Sequence, residues 1–372
     1  MKVLVVIGTR PEAIKMAPLI KKLGKVDGIV CKVCNTGQHK DLLNPILDFF
    51  KTGVDYSLDV MLPKQSLHQL TANIITSIQF VFDEYLPDYV LVHGDTTTSF
   101  AVSLAAFYSG IKVAHVEAGL RTFNKQAPFP EEINRSLTAR LADVHFAPTP
   151  LAAQNLAKEG ITQQVIVTGN TVIDALYDAI QLMDVENDEV VQLKQTIDFS
   201  KKLILFTGHR RENFGAGFEQ IFAALKELTE NRDDVQIVYP VHPNPNVKLL
   251  AEKYFAHSEK IKLIAPLSYG PFTWLMQQSY LIMTDSGGIQ EEAPSLGKPV
   301  LVLREVTERP EAVEAGTVLI VGTDKEKIKS YTLQLLDDTN FYQEFSRKIN
   351  PYGDGKASER IIIYFKELTP QF

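Results

Sequence analysis

The sequence predicts an α/β fold built from two Rossmann-like domains whose parallel sheets face each other across a cleft. Three observations predict it. Continuous Val/Ile/Leu runs alternate with helical patterns along the chain, the pattern of strands covered on both faces of a parallel sheet. The alternation runs through two rounds of βαβ winding. Polar loops follow six of the strands, three in each half, where ligands of open α/β sheets collect.

The opening "MKVLVVIGTRP" holds five consecutive apolar residues, Val3 to Ile7, too few for a secretory leader and suited to a buried first strand. "IVCKVCN", "DYVLVHG", "IKVAHVE", "DVHFAPT" and "QVIVTGN" continue the first half as strands, with helical patterns over 11–23, 66–85 and 96–109. Residues 170–200 are helix-like and charge-rich without a strand, which places a boundary there. The expected domains are 1–169, joined by a C-terminal helix over 356–372, and 170–355. In the second half "KLILFTG", "VQIVYPV", "IKLIAP", "YLIMTDS", "KPVLVL" and "TVLIVG" read as strands, with helices over 216–230 and 324–337. The terminal "ASERIIIYFKEL" reads as an amphipathic helix that packs back onto the fold.

A chain of 372 residues with 45% hydrophobic and 22% charged residues has the composition of an ordinary globular protein with ample core. Its net charge of −7 offers nothing global to recruit nucleic acid or an anionic membrane, so an anionic ligand must be held by local cations and backbone groups. No apolar run approaches the ~18 residues of a membrane span. Cys31 and Cys34 in "CKVC" resemble a redox motif, but positions i and i+3 of a strand point to opposite faces. They are expected to be core thiols in a cytoplasmic protein without a disulfide framework.

The carboxylates concentrate in "HVEAGLRTFNKQAPFPEEINR", residues 115–135, and in "VHGDTTTS". Glu117, Glu131 and Glu132 have no cysteine or second nearby histidine with which to share a metal, so no metal is expected. Asp95 and Glu117 end successive strands and are expected to come close. Glu131 follows Pro130 at a helix start with Arg135 at i+4, a pair worth ~0.2–0.5 kcal/mol, and the helix N-terminus favours its charged form, which suits a base. Acids beside arginines can form a structural ion network; gathered at strand ends above an anion site, they more often move protons.

The anion site is expected at "TDSGGIQEEAPSLGKP". Asp285 or Ser286 can cap a helix there, and Gly287 and Gly288 let phosphate oxygens approach backbone N–H groups. Glu292 can accept from ribose hydroxyls, and Arg309 in "RP" can reach a phosphate. "GHRREN" supplies His209, Arg210 and Arg211 after a strand, where guanidinium forks match phosphate. His242 in "PVHPNP" is as readily structural as ligand-binding. "GTRPEAIKMAPLI" offers Arg10 and Lys15 as the wall of a diphosphate pocket, with Pro11 in the helix's first turn. No G-x-G-x-x-G follows the first strand, and "GAGFEQ" lacks the third glycine, so no NAD is expected.

Taken together, "GTRPEAIKMAPLI", "HGDTTTS", "HVEAGLRT", "PFPEEINR", "GHRREN" and "TDSGGIQEEAPSLGKPVLVLREVTERPEA" resemble the non-hydrolysing UDP-N-acetylglucosamine 2-epimerases of bacteria, in order from residue 3 to about 365. The resemblance implies a GT-B fold and a cytoplasmic homodimer without cofactor. It also implies interconversion of UDP-GlcNAc and UDP-ManNAc that supplies ManNAc units for surface polysaccharide. By motif, Arg10, Lys15, His209, Ser286, Gly287, Gly288, Glu292 and Arg309 would hold UDP, with Phe272 of "YGPFTWL" near the uracil. Asp95, Glu117 and Glu131 would form the acid–base set, with His209 beside the departing diphosphate. Some family members bind a second, activating UDP-GlcNAc; the matching positions are Gln38, His39, Glu132, Arg210 and His242, whereas Lys64 stands where regulated members carry Arg. The alternatives are a GT-B glycosyltransferase using a UDP-sugar donor, for which the carboxylate cluster has no evident use, and a nucleotide-sugar sensor, against which the same cluster argues.

Overall fold

The structure, a computed structural model, describes residues 1–38, 40–62 and 64–369, except the side chains of 40–42. All twelve expected strands form. In the first half they are β1 (Lys2–Ile7), β2 (Val30–Asn35), β4 (Tyr89–His93), β5 (Lys112–Val116), β6 (Val144–Ala147) and β7 (Val165–Val167). The second half holds β8 (Lys202–Thr207), β9 (Val235–Pro240), β10 (Ile261–Ile264), β11 (Leu281–Thr284), β12 (Val300–Val302) and β13 (Val318–Ile320). β3 (Tyr56–Ser57) was not expected; two residues at a sheet edge leave no period to read.

The strands form two parallel sheets, ordered β3-β2-β1-β4-β5-β6-β7 and β10-β9-β8-β11-β12-β13. Each order turns back on itself once, between β1 and β4 and between β8 and β11, the point where such sheets bind ligands beyond their carboxyl ends. Val3 to Ile7 are fully buried and pair in register with β2, and Val3 to Val5 also with β4, as a central strand of a two-faced sheet requires. The helices Arg10–Leu23, Leu67–Tyr85, Thr97–Tyr108, Ala216–Glu230 and Lys325–Asp337 fall within a residue of the sequence expectation.

The chain divides into two compact units, Met1–Asp178 with Tyr352 onward, and Ala179–Pro351. In the first unit, the helix Ala357–Leu368 packs on the helix Arg10–Leu23. Its Phe365 lies 5.4 Å from the ring of Tyr89 and 6.0 Å from that of Phe146. Asp174 caps it, accepting from the backbone N–H groups of Ala357 (3.1 Å) and Ser358 (2.9 Å). No helix among the described residues is long and apolar enough to cross a membrane. Cys31 and Cys34 are free, and burial pushes both thiols up to about 12, so they stay protonated and unreactive.

Candidate functional site

In the first unit the loops after β1, β4 and β5 meet at the point where the strand order reverses. Gly8, which follows β1, has no room for a side chain: a Cβ there would collide with the hydroxyls of Thr36 and Thr98. A cavity of about 410 Å³ opens here, and Lys15, Asp95, Glu117 and Glu131 line it with Glu12 and Gln38. The expected carboxylate set therefore converges on one space, each acid from a different element.

Glu117 sits just past β5 with φ +62°, a left-handed conformation that costs a non-glycine residue of order 1–3 kcal/mol and persists only where its surroundings impose it. Its carboxylate accepts from the Lys15 ammonium and from Asn170 Nδ2 at 2.7 Å, and His93 Nε2 stands 3.7 Å away. Asp95 receives the Arg135 guanidinium, and its carbonyl accepts from Asn134 Nδ2 at 3.0 Å. Glu131 begins the helix Glu131–Leu141; among the described residues it makes no ion pair. The expected Glu131–Arg135 pair is absent, because Arg135 reaches instead to Asp95 and, at 3.3 Å, to Glu132. Glu132 is buried, and its carboxylate accepts from the N–H groups of Thr122 (3.1 Å) and Phe123 (2.8 Å), bracing the loop after β5.

Arg10 and Lys15 are not brought together. Five residues along a helix are about 140° of rotation apart; Lys15 turns to Glu117, while Arg10 is exposed. Gln38 accepts from Thr98 Oγ1 at 2.9 Å at the cavity wall. His39 lies outside the described residues.

In the second unit the loops after β8, β9 and β12 carry the expected cations, and the loop after β11 carries the Ser-Gly-Gly turn. Asp285 is not a helix cap. It is fully buried, and its Oδ2 accepts from the backbone N–H groups of His209 (2.9 Å) and Arg210 (2.8 Å) and from Asn213 Nδ2 (3.3 Å). Ser286 takes the N-cap position of the short helix Gly287–Glu292 but makes no side-chain cap bond; its own N–H donates to Thr284 Oγ1 at 2.9 Å. The His209 ring stacks on His242 with centroids 5.4 Å apart, and His242 Nδ1 accepts from the Asn244 N–H at 3.1 Å. Burial lowers the His209 pKa, Arg210 and His242 press the same way, and Asp285 opposes them.

The Arg309 guanidinium lies over Gly287, 3.6 Å from where a Cβ would stand, and its Nε donates to Glu291 at 2.5 Å. A Cβ at Gly287 would meet that guanidinium at ordinary contact distance. Glu292 accepts from the Tyr269 hydroxyl at 2.8 Å, and Phe272 follows one turn along the helix Tyr269–Gln278. A second cavity, about 460 Å³, lies at the amino edge of this sheet among Lys226, Lys253 and Lys260. Lys260 is occupied there by the carbonyls of Thr229 and Arg232 and by Asp233, and no loop at a carboxyl strand end reaches it.

Sequence reasoning missed Glu12, His93, Asn134 and Asn170. Glu12 had a legible signal, the Thr9-x-x-Glu12 spacing of a capping box. The others act through contacts between distant segments that no local pattern announces. No group of three or more His, Cys, Asp or Glu suited to a metal occurs among the described residues.

The family model described as UDP-N-acetylglucosamine 2-epimerase matches residues 21–366. The chain is 53% identical over 370 residues to a UDP-N-acetylglucosamine 2-epimerase of Escherichia coli (strain K12), covering 98% of each protein. It is similar to the crystal structure of UDP-GlcNAc 2-epimerase from Neisseria meningitidis bound to UDP-GlcNAc, with 48% identity, TM-score 0.88, and 99% and 100% of the two chains covered. The Methanocaldococcus jannaschii UDP-GlcNAc 2-epimerase superposes with TM-score 0.87 at 33% identity, over 99% and 100% of the chains. The two Rossmann-like halves, with seven- and six-stranded parallel sheets, match those GT-B-like structures. On this combined ground of sequence, fold and motif, the chain belongs to the UDP-N-acetylglucosamine 2-epimerase family.

Proposed function

We propose that the chain acts as a non-hydrolysing epimerase that reversibly inverts C2 of UDP-GlcNAc to give UDP-ManNAc. The observation that carries this reading is the convergence of Asp95, Glu117 and Glu131 on one cavity, with Lys15 and Arg135 bonded to two of them. The C2 hydrogen is not alpha to a carbonyl, so direct deprotonation is too costly. Elimination avoids that cost. A carboxylate takes the C2 proton, the C1–oxygen bond breaks, and its electron pair leaves with UDP, giving 2-acetamidoglucal. A carboxylic acid on the opposite face then protonates C2, and the UDP oxygen returns to C1.

The cations have the matching task. His209, Arg10, Arg309 and the backbone at Ser286, Gly287 and Gly288 stabilise the departing diphosphate, the usual largest electrostatic contribution to such a step. Phe272 and Glu292 hold uracil and ribose. Lys15 orients Glu117, and Arg135 orients Asp95. The further reach of the proposal is a homodimer that supplies ManNAc units for surface polysaccharide. It extends to a second, activating UDP-GlcNAc that acts through Gln38, His39, Glu132, Arg210 and His242.

NMR of UDP-GlcNAc with the protein alone in D₂O tests the reading. UDP-ManNAc carrying deuterium at C2 is the expected product. Product that keeps its hydrogen, or a requirement for an acceptor sugar, overturns it. Replacing Asp95, Glu117 or Glu131 by its amide should each lower turnover ~10²–10⁴-fold; undiminished C2 exchange in all three variants removes the acid–base set.

A further inference from the structure

Asp285 has no part in the reading above, yet its carboxylate is fully buried and organises the turn that carries two cations. Two backbone N–H groups and the Asn213 amide converge on Oδ2. The other oxygen, Oδ1, is left facing His209 Nδ1 at 3.3 Å. The approach does not complete a hydrogen bond and leaves Oδ1 buried without a partner; a carboxylate oxygen can only accept, so a hydrogen on Nδ1 is what satisfies it. The remaining groups that face His209 all disfavour a positive ring: Arg210 is its chain neighbour and the His242 ring is stacked on it. Asp285 is the counterweight.

We infer that Asp285 is a positioning residue for His209, holding the ring proton on Nδ1 so that Nε2 is the nitrogen offered to an anionic ligand. This rests on the proposal that His209 meets the diphosphate of UDP. When UDP arrives, Nε2 takes one proton from solvent, and Asp285 stabilises the imidazolium that results. The arrangement fixes tautomer and charge together, as a carboxylate behind a histidine does in hydrolase triads. The neighbouring Arg210 keeps its backbone tied to the same carboxylate, so the turn and the tautomer share one determinant.

Replacement by the amide separates the two roles. In Asp285→Asn the amide oxygen must face the N–H groups of His209 and Arg210. Its NH₂ then faces Nδ1, which has to become an acceptor, and the proton moves to Nε2. Nitrogen-15 NMR of histidine-labelled, ligand-free protein reads this directly. The wild type is expected to show His209 protonated at Nδ1 and D285N at Nε2, with turnover of UDP-GlcNAc lower by on the order of 10²-fold. Calorimetry of UDP binding in buffers of different ionisation heat should show proton uptake in the wild type and its loss in D285N. A wild-type His209 protonated at Nε2 overturns the inference even if D285N fails to fold. So does a D285N protein with unchanged tautomer and proton uptake. A protein that shows the expected tautomers but never epimerises UDP-GlcNAc instead overturns the proposed function and leaves the Asp285 assignment standing.

Discussion

His115 shows how much one side chain settles. Its Nε2 lies 2.7 Å from the Gly94 carbonyl, which can only accept, so Nε2 carries a hydrogen. The Gly94 N–H in turn donates to the Val116 carbonyl at 2.9 Å. The peptide before Asp95 is thus held to β5 on both sides, two residues from Glu117, and the spacing of the two acids follows. Burial holds the His115 pKa down to about 3 from its ordinary 6.5, with His145, Arg121 and His93 adding to the depression against the Gly94 bond. Between those values the unfolded chain binds a proton that the folded chain does not. Stability attributable to this residue is therefore intact above pH 6.5 and falls as pH drops toward 3, by up to ~1.4 kcal/mol per pH unit. Gln at 115 can donate to Gly94 without titrating. Urea unfolding of His115→Gln across pH 7 to 4 should therefore show a shallower acid loss than the parent; equal slopes in both proteins would refute the assignment. The sequence displayed His115 in an apolar strand but could not show that its ring reaches the turn after β4.

At the scale of elements, most of the fold was legible because buried parallel strands are long apolar runs and their helices repeat at 3.6 residues. Local features were legible, such as the helix start at Gly287–Gly288, and the links that a side chain makes between two loops were obscure. Glu12 is the clearest case. Its spacing from Thr9 announces a helix start, and Oε2 does accept from the N–H groups of Gly8 (3.0 Å) and Thr9 (2.7 Å). The other oxygen accepts from the hydroxyls of Thr96 (2.7 Å) and Ser99 (3.2 Å) after β4, a contact that depends on β1 lying beside β4 in the sheet. One buried carboxylate thereby joins the turn bearing Arg10 to the turn bearing Asp95. Burial pushes its pKa upward, against hydrogen bonds from Thr96, Thr9 and Gly8 that hold it down. Alanine at this position strands buried donors at about 1–3 kcal/mol each. Glutamine can point its oxygen at the backbone and its NH₂ at the two hydroxyls, which rotate to accept. Denaturant titration should therefore find Glu12→Gln close to the parent and Glu12→Ala less stable by at least about 2 kcal/mol. Equal losses in the two variants would mean that the negative charge, rather than the acceptor geometry, joins the loops.

For the whole molecule, the chain's return path matters most. The segment from Tyr352 onward belongs by contact to the first unit although the second unit intervenes in sequence. Its apolar face was readable as an amphipathic helix, but its partners were not, since periodicity gives a face and never the surface that covers it. The cover is Tyr89 of β4 and Phe146 of β6, against which fully buried Phe365 packs. Removing that ring leaves a void in the core that also supports the strands ending near Asp95 and Glu117, and Phe to Ala changes of this kind cost ~3–5 kcal/mol. The single tryptophan, Trp274, lies in the second unit with its ring 5.7 Å from that of Phe199, so its fluorescence reports on that unit alone, while far-UV dichroism reports on both. Phe365→Ala should lower the urea midpoint seen by dichroism and leave the Trp274 transition where it is in the parent. A Trp274 transition that moves down in step with the dichroism signal would show that the helix stabilises the chain as one cooperative body, and the assignment of its energy to the first unit would fall.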